Sequence, residues 1–396
     1  METAIIEQLT QDSYNEMVRL RRYFHMYPEL SFQEVQTPAY IAQYLRELGI
    51  DVQEGVGGRG VLGRLMIDAS LPTVALRADF DALPIQDQKD TPYRSTVPGV
   101  MHACGHDAHT SVVLTVARIL SQQKETLTGN VVFIFQHAEE VDPGGAIQMI
   151  ADGCLDGVDA IFGQHISSYL DVGAIGYKYG TATGIPDDFT VKINGRGGHA
   201  SNPHNSIDPL AAAISFCTQM QYAVTRKSKP MEPVVLSITM FNGGTQHNVI
   251  PDMVEVGGTI RTFNADAQNV MINELKKCLE GLVTTTGISY DLDYMKGYPP
   301  VINDTDKTDL ILESAQEISS VKKVEELEAG LGGEDFSYYL QRVPGTFYYT
   351  GTRNANFKAD YPHHHANFDI DEQGLINAVS VMLKSVFKFF DKETGL

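Results

Sequence analysis

A short polar segment, residues 101–109, combines one thiol with three imidazoles. It reads Met-His-Ala-Cys-Gly-His-Asp-Ala-His, so a single glycine separates Cys104 from His106, and His102 and His109 lie close by. Residues two apart project to the same side of an extended or tightly turned chain, so this thiol and imidazole can reach one small ion. Thiolate and neutral imidazole are common ligands of zinc and suit other transition metals. An ordinary buried cysteine beside surface histidines would have the same spacing, so the remaining ligands must come from elsewhere.

Three further segments carry side chains of the ligand type. They are Glu139-Glu140 after the apolar run 131–136, His165 after the apolar run 158–163, and three consecutive histidines at 363–365. Burying two adjacent carboxylates is costly unless a positive charge neutralises them. At the end of a strand the two point in different directions. One of Glu139 and Glu140 can therefore bind metal while the other faces a substrate.

These segments lie where predicted strands end, which is where open α/β sheets place their sites. Together they favour a metal site over unrelated buried polar groups. Asp79 and Asp81 follow a further predicted strand at 73–78, and they either orient metal-bound histidines or cap a turn. The sequence therefore predicts a metal site built from several loops, with the ligand among histidines 363–365 left open.

Composition limits the kind of protein and its partners. The chain has 396 residues, 43% of them hydrophobic and 20% charged, which predicts a globular protein of two domains. No apolar run approaches the roughly 20 residues that span a bilayer. A formal net charge of −20 argues against a nucleic-acid partner, which needs a basic face, and disfavours anionic membranes. The partner expected from the sequence is a small molecule.

The cysteines and the N-terminus suggest the compartment. The four cysteines, at 104, 154, 217 and 278, are widely scattered and form no disulfide framework. The first ten residues lack the basic start and apolar core of a secretory signal. We therefore expect a cytoplasmic protein, in which Cys104 stays available as a thiolate.

The order of the predicted elements divides the chain into two domains. Strands and helices alternate in residues 1–183 and again in 297–396, which predicts an α/β catalytic domain with a mixed sheet and helices on both faces. Residues 184–296 instead read β-α-β-β-α-β, the ferredoxin-like α+β motif. This stretch has 11 acidic and 9 basic residues, so nearly all the net charge lies outside it. We expect residues 184–296 to be an inserted lid or dimerisation domain.

Taken together, these motifs resemble the M20 metallopeptidase family, specifically its amidohydrolase branch of aminoacylase-like and hippurate-hydrolase-like enzymes. The resemblance covers nearly the whole chain. The matching stretches are 22–30, 76–84, 104–107, 139–140, 163–165, 195–199, 248–252, 258–261, 333–336 and 364–369. Two stretches depart from the branch, which usually has a proline shortly after each of the last two histidine ligands. Here those positions read Ile-Ser-Ser after His165 and His-Ala after His364.

The resemblance implies a role for each site residue. The implied ligands of two divalent ions, zinc or manganese with cobalt or nickel also permitted, are Cys104, His106, Glu140, His165 and His364. Glu139 becomes the general base. In the lid domain, His199 would bind the substrate carbonyl, and Asn248 and Arg261 its carboxylate. The spacing to Phe368 favours His364 among the three histidines.

The implied reaction is hydrolysis of the amide bond of N-acyl amino acids or related small amides and peptides. Metal-activated water would attack, with Glu139 as general base. An aminopeptidase or dipeptidase using the same dinuclear site is the alternative enzyme. A protein that kept the fold and binds ligands without catalysis is a second alternative. The family resemblance also implies a homodimer or a higher homo-oligomer assembled through the lid domain.

Overall fold

The computed structural model describes residues 1–395. Its strands are β1 Asp51–Val56, β2 Gly60–Leu65, β3 Thr73–Asp79, β4 Asn130–Gln136, β5 Ala160–Asp171, β6 Ala174–Tyr177, β7 Gly180–Thr181, β8 Ile185–Asn194, β9 Gly198–His199, β10 Val235–Asn242, β11 Val249–Ile250, β12 Met253–Thr262, β13 Ser289–Met295, β14 Ile302–Asn303, β15 Lys323–Glu326 and β16 Gly345–Arg353. Its helices are α1 Thr3–Asp12, α2 Tyr14–Met26, α3 Gln36–Glu47, α4 His106–Gln122, α5 Ala146–Ala151, α6 Pro209–Lys227, α7 Ala265–Thr286, α8 Thr305–Glu317, α9 Ser337–Leu340 and α10 Gly374–Thr394. No helix in this described part is long and apolar enough to cross a membrane.

The larger of two compact units comprises Met1–Ala182, Val301–Glu328 and the chain from Asp335 onward. Its main sheet has eight strands in the order β1-β2-β4-β3-β5-β16-β6-β15. The pairs β3–β4, β3–β5, β5–β16 and β6–β15 are parallel, whereas β1–β2, β2–β4 and β6–β16 are antiparallel. The sheet is therefore mixed, as the sequence predicted.

Helices cover both faces of this sheet, and the alternation along β4 shows why. Val131, Phe133 and Phe135 pack into one apolar cluster with side chains of α2, α4 and α10. Val132 and Ile134 point to the opposite face and pack with residues of α5 and α9. Because both faces are buried, the strand is a continuous apolar run rather than an alternating one. The predicted α/β class with helices on both faces is confirmed.

Two elements near the predicted site have other bounds than the sequence suggested. The apolar residues of 111–120 predict a helix from residue 111, but α4 begins five residues earlier, at His106, directly after the left-handed Gly105 with φ 96°. Its first turn is polar, so apolar periodicity alone does not reveal it. The strand expected to end at 163 continues to Asp171, so His165 lies within β5 rather than at its end.

The start of α3 also differs from the prediction. The pair Thr37-Pro38 has the sequence pattern of an N-cap followed by proline at the first helical position, but α3 begins at Gln36 and its preceding residue makes no side-chain cap. The carboxylate of Glu29 takes over that role by accepting the backbone N–H groups of residues 35, 36 and 37 at 2.8–3.0 Å. A carboxylate reaching in from the preceding loop satisfies the free N–H groups as well as a local cap does.

The second unit comprises Thr183–Pro300 together with Ala329–Glu334, a short segment that the sequence pattern had placed in the catalytic domain. Its four-stranded antiparallel sheet has the order β10-β12-β8-β13, and α6 and α7 pack on one face through a separate apolar core. This is the predicted β-α-β-β-α-β arrangement. A two-stranded ribbon of β9 and β11 completes the unit.

Candidate metal centre

Four segments of the larger unit bring their ligand-type side chains together. Cys104 and His106 lie at the start of α4, the two glutamates follow β4, His165 lies in β5, and His364 precedes α10. Three groups formed by these side chains alone have ligand atoms within 4.8 Å of one another: Cys104 with His106 and His165, Cys104 with Glu140 and His364, and His106 with Glu139 and Glu140. The structure thus assembles all six residues that the sequence analysis selected in this unit.

The distances between ligand atoms suit shared coordination. Cys104 Sγ lies 3.4 Å from His165 Nε2, and Glu140 Oε1 lies 3.4 Å from His364 Nε2. His106 Nε2 is 3.8 Å from the same oxygen of Glu140. Two ligand atoms of one metal ion are roughly 3–4 Å apart when each metal–ligand bond is about 2.0–2.3 Å long. Because the groups overlap through shared members, the cluster can hold two neighbouring ions.

Three of these segments contain a residue whose backbone has the left-handed conformation. Gly105 has φ 96°, and a β-carbon there would lie 2.3 Å from Ile166 Cδ1, so only glycine fits between Cys104 and His106. Ala138 and His364 have φ 53° and 63°, although neither is glycine. Such conformations cost energy and persist only where surrounding contacts hold them.

Two aspartates at the end of β3 orient the histidines of α4. His106 Nδ1 donates to Asp81 Oδ1 at 3.1 Å, which leaves Nε2 directed to the cluster. His109 Nδ1 donates to Asp79 Oδ1 at 2.6 Å, while His109 Nε2 accepts the backbone N–H of Ile166 at 3.0 Å. Both nitrogens of His109 are therefore used, and it is not free to bind metal. Of the two readings of Asp79 and Asp81, the structure favours orientation of histidines.

Asp81 also connects two of the converging segments. Its Oδ2 accepts the backbone N–H of Glu140 at 3.0 Å and the hydroxyl of Ser31 at 2.6 Å. One buried carboxylate thereby sets both the imidazole of His106 and the chain that carries the two glutamates.

The three consecutive histidines have different contacts. His363 Nε2 accepts the backbone N–H of Ser168 at 3.2 Å, so it is occupied. His365 stacks on Tyr361 with ring centroids 4.7 Å apart, and its Nδ1 accepts the N–H of Asn367. Only His364 has a nitrogen in one of the ligand groups, in agreement with the spacing argument.

The electrostatics of the cluster call for a cation. Burial opposes the charged form of His106, but Asp79, Asp81 and Glu140 outweigh it and raise its pKa to about 10. Burial, followed by the charge of Glu140, raises the pKa of the Cys104 thiol well above its usual value. His106 Nε2 is buried and has no hydrogen-bond partner among residues 1–395. A divalent cation would satisfy that nitrogen and stabilise the thiolate, so the residues present fit a metal, whose binding would release protons.

Sequence reasoning missed the buried arginines behind the cluster. Arg77 donates to Asp79 Oδ2 at 2.6 Å, to Asp335 Oδ1 at 2.8 Å and to Gln136 Oε1 at 2.9 Å. The fully buried Arg21 forms ion pairs with Asp107 at 2.9 Å, with Asp369 at 2.7 Å and with Glu372 at 3.3 Å. An arginine inside an otherwise apolar strand, as in the stretch 76–84, is a signal that such a network exists, although it does not name the partners.

The remaining predicted residues lie in the second unit. His199 lies in the two-stranded ribbon and Asn248 directly precedes its second strand; Val249 pairs with His199, and Ala200 N–H donates to Asn248 O at 3.0 Å. Arg261 lies on β12 in the four-stranded sheet instead, and its Nη1 is buried without a hydrogen-bond partner in the described chain. The first two are thus neighbours, and the third belongs to a different sheet.

Comparison with known proteins places the chain among hydrolases. Residues 75–388 match the family model described as peptidase family M20/M25/M40. The Bacillus subtilis protein YhaA, named as an amidohydrolase, is 44% identical over 369 residues, 93% of each chain. An N-acyl-L-amino acid amidohydrolase of Geobacillus stearothermophilus is 41% identical over 298 residues, covering 75% of this chain and 80% of that one. The structure of Bacillus subtilis YXEP, described as a dinuclear metal binding peptidase of the M20 family, superposes with a TM-score of 0.82 at 34% identity, covering 96% and 99% of the two chains.

Proposed function

The chain belongs to peptidase family M20/M25/M40 and is a hydrolase of amide bonds, and from this membership we propose that it removes the acyl group from N-acyl amino acids with two divalent metal ions. The observation that carries the proposal is the convergence of Cys104, His106, Glu140, His165 and His364 around shared positions, with Glu139 beside them. Their overlapping ligand groups match a dinuclear site, and the thiolate favours zinc while the imidazoles and the carboxylate also suit manganese, cobalt or nickel.

Bound divalent ions would supply Lewis acidity, which polarises the amide carbonyl and lowers the pKa of water towards neutrality. Glu139 is the residue that moves the proton. It is 7% exposed, and its Oε2 lies 4.0 Å from His106 Nε2, so its carboxylate stands beside the ligand atoms. Because Glu140 would hold metal, the Glu139 carboxylate can take the proton from water and deliver it to the leaving nitrogen.

His199 suits a role as hydrogen-bond donor to the substrate carbonyl. Its Nδ1 accepts the backbone N–H of Ser201 at 3.2 Å, so the neutral ring carries its proton on Nε2. Two residues before His199, Gly197 lets the backbone of Ile250 pack close to this segment, since a β-carbon at Gly197 would lie 2.6 Å from Ile250 O. Donors of this kind stabilise the oxyanion that forms during hydrolysis. Asn248 and Arg261 are proposed to bind the substrate carboxylate, which matches the unpartnered Nη1 of Arg261.

The larger unit favours an acylated nitrogen over a free amine. An aminopeptidase must bind a protonated amine, and a carboxylate is the usual partner for that charge. The carboxylates of Asp79 and Asp81 are already occupied by histidines, arginine and backbone N–H groups. Glu139 and Glu140 have the catalytic and ligand roles proposed above. We therefore place the aminopeptidase reaction second.

We also propose that the protein is a homodimer formed through the second unit. β10 is an edge strand of the four-stranded sheet. It exposes Val235 by 39%, Met240 by 44% and Phe241 by 42%. An apolar edge strand offers unpaired backbone groups, and pairing with a second copy is a common way to cover them.

The substrate class is tested by a matched series built on one amino acid. The series carries an acetyl, a benzoyl, a glycyl or an N-acetylglycyl group, so that the last two differ only in the charged amine. With metal supplied, we expect the N-acyl compounds to be hydrolysed and the free-amine dipeptide to have a kcat/KM at least about tenfold lower than its acetylated form. Faster hydrolysis of the dipeptide would establish the aminopeptidase alternative. Absence of all hydrolysis with two ions bound would indicate a non-catalytic binding protein.

A further inference from the structure

The turn that carries the two site glutamates is held in an unfavourable conformation. Ala138 has φ 53°, in the left-handed region that L-residues other than glycine, asparagine and aspartate seldom adopt. It is fully buried and directly precedes Glu139. Something in the surrounding structure must keep this turn in place, because relaxation to an ordinary φ would redirect both glutamates.

One buried side chain contacts this turn. Glu34, which is 1% exposed, accepts the backbone N–H of Ala138 through Oε1 at 3.0 Å. Its Oε2 has no hydrogen-bond partner in residues 1–395, and Arg59 Nε lies 4.0 Å from that oxygen. An unpartnered carboxyl oxygen in the interior is costly. The hydrogen bond from Ala138 therefore stabilises a carboxyl group that is expensive to bury.

The chain on either side of Glu34 contacts the same turn. Phe32 packs edge-on against the His137 ring, with centroids 5.8 Å apart, and itself has φ 62°. Arg59 donates a hydrogen bond to the backbone O of Glu34 and so helps to fix the segment that contains Glu34. Residues 32–34 thus stabilise residues 137–138 by packing and hydrogen bonding, although about a hundred residues separate them in sequence.

We propose that Glu34 is a positioning residue that sets the orientation of Glu139 by fixing the strained turn at Ala138. The inference rests on the proposed role of Glu139 as general base. Glu34 acts through Oε1 as a hydrogen-bond acceptor for this turn. Burial raises the pKa of the Glu34 carboxyl to about 8, and an oxygen of either the neutral or the ionised carboxyl can accept the Ala138 N–H.

Two variants separate the acceptor from the buried volume. Glu34→Gln keeps an acceptor oxygen of the same reach, whereas Glu34→Leu keeps the bulk but leaves the Ala138 N–H without a partner. With metal saturating and bound metal measured, we expect Glu34→Leu to lower kcat by about 10- to 100-fold, because small misplacements of a catalytic group have effects of this size. KM should stay within about threefold, since metal is saturating and the proposed substrate-binding residues His199, Asn248 and Arg261 lie outside the turn. Glu34→Gln should retain most of the wild-type kcat.

Hydrogen exchange of the peptide covering residues 137–141 gives a readout independent of activity. Protection of this peptide should fall in Glu34→Leu and persist in Glu34→Gln, with other peptides unchanged. Equal effects of the two variants on kcat or on exchange would overturn the proposal, as would a Glu34→Leu enzyme with normal kcat.

The decisive comparison repeats Glu34→Leu in an Ala138→Gly background. Glycine adopts φ near 53° without strain, so a turn with glycine at position 138 does not depend on the hydrogen bond to Glu34. If Glu34 acts through Ala138, its replacement should cost at least about fivefold less in kcat in this background, since coupled neighbours are not additive. The same loss in both backgrounds would show a merely structural role. A Glu139→Gln enzyme with normal turnover would instead refute the proposed function, so the two failures are distinguishable.

Discussion

Replacing Glu139 with glutamine is expected to lower kcat by at least about 100-fold, the usual scale for losing a positioned general base. Glutamine keeps the size of the side chain but cannot accept a proton from water. Metal content should stay at the wild-type level, because Glu140 provides the carboxylate of the ligand groups that include Cys104 and His364. The measurement pairs steady-state turnover of an N-acyl amino acid with metal analysis of the same sample.

Glu140→Gln is the matched control, since it makes the same chemical change one residue away. Its main effect should be a loss of metal, which added metal partly reverses, whereas the Glu139→Gln defect should persist at any metal concentration. Near-normal turnover of Glu139→Gln with full metal occupancy would refute the division of roles between the two glutamates.

Mixing two inactive variants should restore activity if His199 serves the active site of the partner subunit. His199 lies in the second unit, far in sequence from every proposed ligand, and an oxyanion donor must come within roughly 3 Å of the developing charge. A dimer formed through the second unit can supply the imidazole in trans. The proposed experiment combines Glu139→Gln with His199→Ala under conditions that allow subunits to exchange.

The arithmetic of the mixture separates the two arrangements. In trans, a mixed dimer has one site with both defects and one with neither, so an equal mixture should recover about a quarter of wild-type activity at random exchange. In cis, every site keeps one defect and the mixture remains inactive. Differential tags confirm that mixed dimers form. Persistent inactivity of confirmed mixed dimers would eliminate the shared site.

Hydrophobic pattern was sufficient to predict most of the framework. The buried strand β4 lies within one residue of the apolar run 131–136, and the inserted module has the predicted β-α-β-β-α-β order. The buried face of each of these elements can be identified from the spacing of apolar residues within the element itself. The prediction was wrong where polar residues occupy an element, as in the first turn of α4, and where a strand continues past its apolar run, as in β5.

The ligand-type residues could be selected from sequence because thiol, imidazole and adjacent carboxylates are rarely buried without a cation. The residues that position them could not be paired in the same way. Asp81 contacts both Ser31 and Glu140, and Glu34 contacts Ala138, across separations of 50 to 104 residues. Such pairings depend on tertiary structure, and the sequence around a single acidic residue does not indicate which distant residue it will contact.

The central claim, hydrolysis at a two-metal site, is tested most directly by removing and restoring metal in the wild-type protein. The protein is stripped with a chelator and titrated with zinc, manganese, cobalt or nickel, while bound metal per chain and hydrolysis of an N-acetyl amino acid are measured together. We expect no hydrolysis by the stripped protein and a rise with at least one of these metals that levels off at two ions per chain. Full activity of the stripped protein, or two bound ions without hydrolysis of any N-acyl amino acid, would contradict the account.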